Sequence, residues 1–344
     1  MWHDASVGAR RLATTLVLLV ASCGPTPATS AAPAPASPSA VGTSASFVLA
    51  NASGLVALDA SCRPIGRVVE LPPQTAAATP SLSPDRSRLA FALTGQPDPV
   101  RGFGSDIAEV RLDGTGMRTL VQHETENVFY ASPRYDPLDA SAIYAHRRAA
   151  VIRDGTYVGN TDEVVRVDLA SGERRTILAD AADPTISPDG RTIVFVHLKD
   201  ALPDALWVAS LPNAADARPL LRTADTFTYL QTPRFSPDGT RVAWSAAGRQ
   251  TGAAPARGPV ASAVGGRPAH LGIPSDLLVA PADGSSVTVL GTTGDDVMPN
   301  WSPDGTRIAY VGVGAMVLLT VADKSVNVCA QGQEFFFGDP VWVR

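Results

Sequence analysis

The chain repeats one short phrase five times and ends on a truncated copy of it. Each copy carries a proline followed two positions later by an apolar or aromatic residue. In three copies the turn sequence Ser-Pro-Asp-Gly comes next. The prolines that mark the six copies are Pro80, Pro133, Pro184, Pro233, Pro299 and Pro340. Their separations are near the length of a four-stranded propeller blade, so the repeat constrains the fold more strongly than any single residue does.

Each repeat predicts two hairpins. Ser-Pro-Asp-Gly favours a tight turn, because proline presets φ, the serine accepts a local hydrogen bond and glycine fits the last position. β-branched or aromatic runs follow this turn, as in Arg88–Leu93 and Thr192–His197. A second hairpin comes later in the unit, for example Ile107–Leu112 with Met117–Val121 across an Asp-Gly pair. Four strands per unit, labelled A to D, are therefore expected, with the turn aspartates solvated.

The two ends of the chain complement each other. Phe47–Ala50, Leu55–Leu58 and Arg67–Leu71 predict strands B, C and D of a blade without a strand A, and Pro340–Arg344 predicts a lone strand A. The sequence therefore predicts an all-β fold, a six-bladed β-propeller of four-stranded blades over residues 46–344. Pairing of the C-terminal strand with the N-terminal blade would close it and leave no exposed edge.

The start of the chain has the features of an export signal. Arg10 and Arg11 precede the apolar stretch Leu12–Ala21, which is too short to span a bilayer permanently. The stretch ends in Val20-Ala21-Ser22-Cys23, which resembles a bacterial lipobox and implies cleavage before Cys23 and lipidation of its thiol. Residues 1–22 are thus predicted to be a lipoprotein signal peptide. Ordinary signal cleavage beside an incidental cysteine is the alternative.

Residues 23–45 are predicted to be a tether, because a segment made almost entirely of Pro, Ala, Ser, Thr and Gly cannot bury a core. A diacyl anchor supplies the two chains that stable membrane attachment needs. We therefore expect an exported protein held on the extracytoplasmic face of a bacterial membrane, in the cell envelope or periplasm.

Charge and cysteine content narrow the function classes. The net charge of −5 argues against nucleic-acid binding, which needs a basic surface. Cys62 and Cys329 form an even pair in an oxidising compartment, on blades that would be neighbours in a closed ring. Cys62 is expected in a C–D turn and Cys329 late in a strand D near the opposite face, so a disulfide and two free thiols both remain open.

No pattern in the sequence assigns chemistry. There is no His-Glu-x-x-His pair, no glycine-rich phosphate loop and no Gly-x-Ser-x-Gly elbow. The acid pairs Glu124/Glu126 and Asp295/Asp296 lie in predicted loops, where solvated carboxylates are expected. We therefore predict no catalytic residues, no metal, no cofactor and no enzymatic activity.

The positions flanking the repeat prolines predict a binding site. Strand A is innermost in a propeller, and period-two alternation turns the residue after each proline, including Arg134, Arg234 and Asn300, toward the channel. The residues before the prolines, including Asp183 and Asp339, are expected at the channel mouth. One interpretation is a polar funnel for an anionic or carbonyl-bearing ligand, and the other is water-filled lining with the arginines paired to acids such as Asp183.

Two long insertions are predicted over the same mouth. Arg147–Asp162 and Ala247–Ser275 are the longest expected loops between strands B and C, and such loops share a face with the D-to-A connections. Insertions on one face of a repeat protein often mark the binding face.

The repeat phrase resembles the propeller repeats of the TolB family, and the resemblance covers nearly all of residues 46–344. It implies a periplasmic protein that binds an outer-membrane lipoprotein through its propeller. Unlike TolB, the sequence predicts no N-terminal α/β domain, and no catalytic domain of the prolyl-oligopeptidase type is predicted after the propeller.

A lipid-anchored binding or scaffolding module is therefore expected. It would be a monomer whose partner is another envelope protein or a small ligand at the channel mouth. A propeller enzyme of the polysaccharide-lyase or quinoprotein type and a sensor subunit of an envelope signalling system are the alternatives.

Overall fold

A computed structural model describes residues 44–52, 54–221, 225–248, 250–251, 273–335 and 338–344. The predicted signal peptide, Cys23 and the tether up to residue 43 lie outside these ranges, as do residues 252–272 of the second predicted loop. One short 3₁₀ turn spans Gln333–Phe335. None of the helices in the described residues is long and apolar enough to span a bilayer.

The chain forms small sheets in a propeller-like arrangement, and four of these sheets have four strands each. The first contains β1 (Phe47–Asn51), β2 (Gly54–Leu58), β3 (Pro64–Glu70) and the C-terminal β26 (Asp339–Trp342). The next contains β12 (Ala181–Ile186), β13 (Thr192–Lys199), β14 (Leu202–Ser210) and β15 (Arg218–Pro219). A third contains β17 (Tyr229–Phe235), β18 (Arg241–Ala247), β20 (Asp276–Pro281) and β21 (Thr288–Thr292). The fourth contains β22 (Asn300–Trp301), β23 (Arg307–Gly312), β24 (Ala315–Thr320) and β25 (Val326–Gln331).

The first two copies of the repeat, marked by Pro80 and Pro133, share one eight-stranded sheet. Its first antiparallel run is β4 (Ala76–Leu82), β5 (Arg88–Thr94), β6 (Gly104–Arg111) and β7 (Arg118–Val121). Its second is β8 (Val128–Asp136), β9 (Asp139–Arg153), β10 (Thr156–Asp168) and β11 (Arg174–Ala179). The two runs meet through a parallel contact of two residue pairs between β6 and β8. A separate two-stranded ladder joins β16 (Asp225–Thr226) to β19 (Gln250–Thr251).

The C-terminal strand completes the N-terminal sheet, as the sequence predicts. β26 pairs antiparallel with β1, with Phe47 opposite Trp342 and Val48 opposite Val341. The backbone N–H of Trp342 also donates to Oδ1 of Asn300 in the last sheet, at 2.7 Å. The strand therefore ties the first and last sheets together.

The Ser-Pro-Asp-Gly turns adopt the predicted hydrogen bonding. In the last copy the Ser302 hydroxyl donates to Asp304 at 2.5 Å and accepts from the N–H of Arg307 at 2.9 Å. This hydroxyl bond is the largest cause of the low pKa of Asp304, which is about 2. The glycine of this turn, Gly305, has a φ of 68°, a conformation that favours glycine.

Hydrophobic cores lie between neighbouring sheets, because alternate residues of each strand face the adjacent sheet. The cluster that joins the last sheet to the first includes buried side chains from β1, β23, β24 and β26. These are Phe47, Leu49, Ala309, Val311, Met316, Leu318 and Trp342.

The first predicted long loop is in fact the outer half of a β-hairpin. Residues 147–153 and 156–162 continue β9 and β10. Asp154 and Gly155 form the turn with φ values of 50° and 75°, as two-residue hairpin turns require. Arg148 Nε lies 2.7 Å from Asp162 Oδ1 across the ladder. Such cross-strand charge pairs make a long polar hairpin favourable, and the sequence pattern alone did not indicate this.

Candidate functional site

Two cavities lie along the channel, and the repeat prolines divide their linings. On β4, Ala76–Thr79 line one cavity and Pro80–Leu82 line the other. On β8 the same division falls between Ser132 and Arg134. The cavities therefore lie at opposite ends of the innermost strands. The turn-side cavity adjoins the Ser-Pro-Asp-Gly turns, and the loop-side cavity adjoins the D-to-A and B-to-C connections.

A β-bulge at the repeat proline separates the two linings. In four repeats, two residues of strand A oppose one residue of strand B, and the residue before the proline has a φ between 46° and 51°. Proline lacks an N–H for the ladder, so a bulge is where a strand tolerates it. The residues with positive φ are Thr79, Ser132, Asp183 and Thr232. Two of them are threonines, for which this conformation is a genuine outlier.

Buried hydrogen bonds connect these bulge residues from repeat to repeat. Asp339 Oδ2 accepts from the N–H of Thr79 at 2.6 Å, and Thr79 Oγ1 accepts from the N–H of Ser132 at 3.0 Å. The Ser132 hydroxyl donates to Asp183 Oδ1 at 2.8 Å, and Asp183 Oδ2 accepts from the N–H of Thr232 at 3.3 Å. The carboxylates of Asp183 and Asp339 thus hold the backbone of neighbouring repeats, which orders the inner edge of the ring.

The turn-side cavity has a volume of about 480 Å³ and receives the residue after the proline from every repeat. These six residues are Ser81, Arg134, Thr185, Arg234, Asn300 and Val341. Arg86, from the first complete turn, also lines it. The residues after the prolines therefore face the channel, as the alternation predicts.

The two channel arginines make few hydrogen bonds. Arg134 is 8% exposed, and its Nη1 donates to the carbonyl of Pro133 at 2.5 Å. Arg234 Nη1 donates to the carbonyl of Pro233 at 2.8 Å. Burial lowers the pKa of both guanidinium groups. The positive charge of Arg234 lowers the pKa of Arg134 further. The negative charge of Asp183 acts in the opposite direction on both pKa values, but it does not outweigh burial.

The loop-side cavity has a volume of about 320 Å³ and mainly apolar walls. Six alanines line it, which are Ala52, Ala76, Ala77, Ala78, Ala92 and Ala131. His146 and Arg148 bring polar atoms to its lining. His146 Nε2 and Arg148 Nε both lie 2.7 Å from Asp162 Oδ1. Burial raises the pKa of Asp162, but hydrogen bonds and charge from His146 and Arg148 outweigh it and hold the pKa below its usual value.

The five residues predicted for one channel mouth are divided between the two ends. Arg134, Arg234 and Asn300 line the turn-side cavity, whereas Asp183 lines the loop-side cavity and Asp339 bonds to the bulge between them. The bulge causes this division, because it interrupts the simple alternation on which the prediction relied. Asp183 accepts hydrogen bonds from atoms of the neighbouring bulges, and its negative charge also acts on both arginines.

Three residues that the sequence did not single out take part in the cavities. His146 and Arg148 lie where β9 pairs with β8, opposite Ala131 and Phe129, and no local motif signals that they line a cavity. Arg86 was detectable, since it stands at the turn position that three other copies give to glycine. Its φ of 57° confirms that the turn keeps the left-handed conformation despite the side chain.

The cysteine pair and the acid pairs also have defined positions. Cys62 and Cys329 form a disulfide with a Cα–Cα distance of 5.7 Å, which joins the turn before β3 to β25. Asp295 and Asp296 are buried, unlike the solvated loop acids expected from the sequence. In the described part of the chain, no group of three or more His, Cys, Asp or Glu side chains converges to hold a metal ion.

No protein-family model matches the chain, and no curated protein matches it either. Solved structures do. TolB from Acinetobacter baumannii has a TM-score of 0.61 and 14% identity over 86% of this chain, which spans 66% of that protein's length. A protein assigned as TolB from Agrobacterium tumefaciens has a TM-score of 0.53 and 14% identity, with 85% of this chain and 90% of that one covered. A chain of the nidogen/laminin complex has a TM-score of 0.58 and 8% identity over 86% of this chain and 97% of that one. These likenesses show a TolB-like β-propeller fold.

Proposed function

We propose that this protein is a lipid-anchored, extracytoplasmic propeller that acts as a binding module in the bacterial cell envelope. It would hold a segment of another envelope protein at the loop side of its channel, as a monomer and without catalysing a reaction. The observation that carries this proposal is the loop-side cavity, whose alanine walls leave space beside an extended hairpin.

Support for a six-bladed frame comes from the eight-stranded sheet. We propose that its two antiparallel runs act as separate blades, since only two residue pairs join β6 to β8. Each run would then match one sequence repeat, and the six copies would surround one channel.

The chemistry of the loop-side cavity favours a peptide segment with an apolar side chain. Small alanine side chains surround the space, and the aromatic side chains of Phe129 and Tyr130 also contribute to its lining. Ile152, Tyr157 and Val158 lie near the tip of the β9–β10 hairpin and are 50%, 40% and 51% exposed. The same hairpin contributes His146 and Arg148 to the cavity lining, and exposed apolar side chains grouped on a surface are a feature of protein-binding sites.

Site-specific crosslinking tests this orientation. A photoreactive residue at Ile152 should crosslink to one envelope protein. The same residue at Leu138, which is 70% exposed in the turn between β8 and β9 at the opposite end, should not. Ala52→Trp should abolish the crosslink by filling the cavity entrance, and the matched Ala170→Trp in the exposed β10–β11 turn should preserve it. Identical products from both crosslinking positions, or retention of the crosslink in Ala52→Trp, would contradict the proposal.

The anchor is tested separately by Cys23→Ala. The variant should move from the membrane fraction to the soluble fraction and lose incorporation of a labelled fatty acid. Tight membrane association that persists in this variant would show that another segment holds the protein at the membrane.

A further inference from the structure

The turn-side cavity is unusually positive for a protein with a net charge of −5. Arg86, Arg134 and Arg234 line it, and no Asp or Glu stands among its described lining residues. The aspartates of four adjoining turns are not part of this lining, and each accepts a hydrogen bond from the serine of its own turn, as Asp85 does from Ser83 at 2.5 Å. The lining therefore gathers cationic groups, and the carboxylates whose charges act on Arg134 and Arg234, those of Asp183 and Asp339, lie outside it.

Arg134 carries donors that the described residues leave without partners. Nε and Nη2 of this side chain are buried and make no hydrogen bond, and only Nη1 has an acceptor, the carbonyl of Pro133. Buried polar groups are nearly always hydrogen-bonded, and a guanidinium offers its donors in a planar fork that matches an oxyanion. An anion in the cavity could accept hydrogen bonds from these two buried donors of Arg134.

The positions of the arginines in the repeat bring their charges to one space. Arg134 and Arg234 occupy the same repeat position on either side of the repeat that contributes Thr185. Two like charges in a buried site repel each other, and an anion between them would replace this repulsion with attraction. The carboxylates of Asp183 and Asp339 lie at the bulge, where they hold the backbone N–H groups of Thr232 and Thr79.

Arg86 adds a third cation at a cost in backbone conformation. Its left-handed φ is one that the equivalent Gly190, Gly239 and Gly305 adopt without a side-chain penalty. The guanidinium Nη2 reaches the carbonyl of Trp342 at 3.4 Å, at the wall of the same cavity. Backbone strain of this kind tends to persist at functional sites.

We infer that the turn-side cavity is an anion-binding site that takes the carboxylate or phosphate group of a small molecule between Arg134 and Arg234. The remaining part of such a ligand would contact the aromatic side chains of the wall, which belong to Tyr135, Phe235, Trp301 and Trp342. This site is independent of whatever occupies the loop side, because the two linings share no residue.

Calorimetric titration of the purified protein with inorganic phosphate and, separately, with succinate tests the inference at constant ionic strength. At least one of the two anions should bind saturably with one site per chain and raise the melting temperature, and the one that does identifies the source of the oxyanion. Arg134→Met and Arg234→Met should each weaken binding at least tenfold. Arg218→Met, which removes an exposed arginine paired with Asp216, should bind as the unchanged protein does.

Asn300→Asp provides a second test that does not depend on the arginine variants folding. The new carboxylate would keep the Oδ1 acceptor for the N–H of Trp342 and would place a resident negative charge in the cavity. This variant should melt at a higher temperature and bind neither anion. Absence of saturable binding of both anions, or unchanged binding in Asn300→Asp or in a folded arginine variant, would overturn the inference.

Discussion

Trp342→Ala should measure how strongly the C-terminal strand closes the ring. Trp342 is 7% exposed, and its ring lies 4.5 Å from that of Phe47 on the neighbouring β1. The Arg307 guanidinium lies 4.8 Å from the centre of the same ring. Truncation therefore removes packing between the first and last sheets and leaves the β26 backbone in place.

The expected loss in the free energy of unfolding is about 4 kcal/mol. A buried tryptophan covers roughly 200 Å² of surface, which at about 25 cal/mol per Å² corresponds to about 5 kcal/mol. The tilted pair with Phe47 adds about 1 kcal/mol. The residual burial of alanine and the compactness of the unfolded chain subtract about 2 kcal/mol. The result agrees with the range of about 3–5 kcal/mol for large aromatic residues in protein cores.

Equilibrium unfolding in guanidinium chloride, followed by circular dichroism under oxidising conditions, checks the value. Trp207→Ala is the matched control, because Trp207 on β14 is only partly buried and stacks on His197 with ring centroids 4.0 Å apart. Its loss should be less than half as large. A loss in the free energy of unfolding below about 1 kcal/mol in Trp342→Ala would refute the reasoning, because removal of the main core contact of a packed strand should cost more than this.

Two further predictions concern covalent closure and acid sensitivity. Cys329→Ala should lower the melting temperature of the oxidised protein to that of the reduced protein, since the bond to Cys62 links positions 267 residues apart and restricts the unfolded chain. Identical melting of the oxidised and reduced unchanged protein would contradict this. Asp304 should titrate near pH 2, and Ser302→Ala should return its pKa toward 3.8, as carboxyl-carbon NMR would show. Because folding lowers this pKa, the stabilisation by the turn is complete above about pH 4 and is lost as the pH falls through about 2. A midpoint for Asp304 near 4 in the unchanged protein would be inconsistent with the hydroxyl bond.

Local chemistry made the strands and turns predictable. Arg88–Leu93 was expected as a strand and β5 spans Arg88–Thr94, because β-branched and turn-forming residues act over a few positions. The pairing of Phe47 with Trp342 was also predictable. The first blade has no strand A of its own and the last strand has no blade, so pairing the two leaves no exposed edge.

The site could be predicted only in part. The alternation placed Arg134 and Arg234 at the channel, and both line a cavity there. It did not separate them from Asp183, because the bulge at each repeat proline changes the end of the channel at which a side chain lies. A one-residue irregularity of this kind depends on hydrogen bonds between sheets, such as the bond from Ser132 to Asp183, which connect residues 51 positions apart.

The sequence by itself determined the hairpins within most repeats, their turns and the closing strand, since these follow from patterns within one repeat or between the two chain ends. Only the tertiary structure decided that His146 meets Asp162 beside a cavity and that Cys62 bonds to Cys329. The same is true of the donors of Arg134, which are buried without partners among the described residues. These features depend on distances between sheets, and such distances are set by packing of the whole ring, which no local pattern encodes.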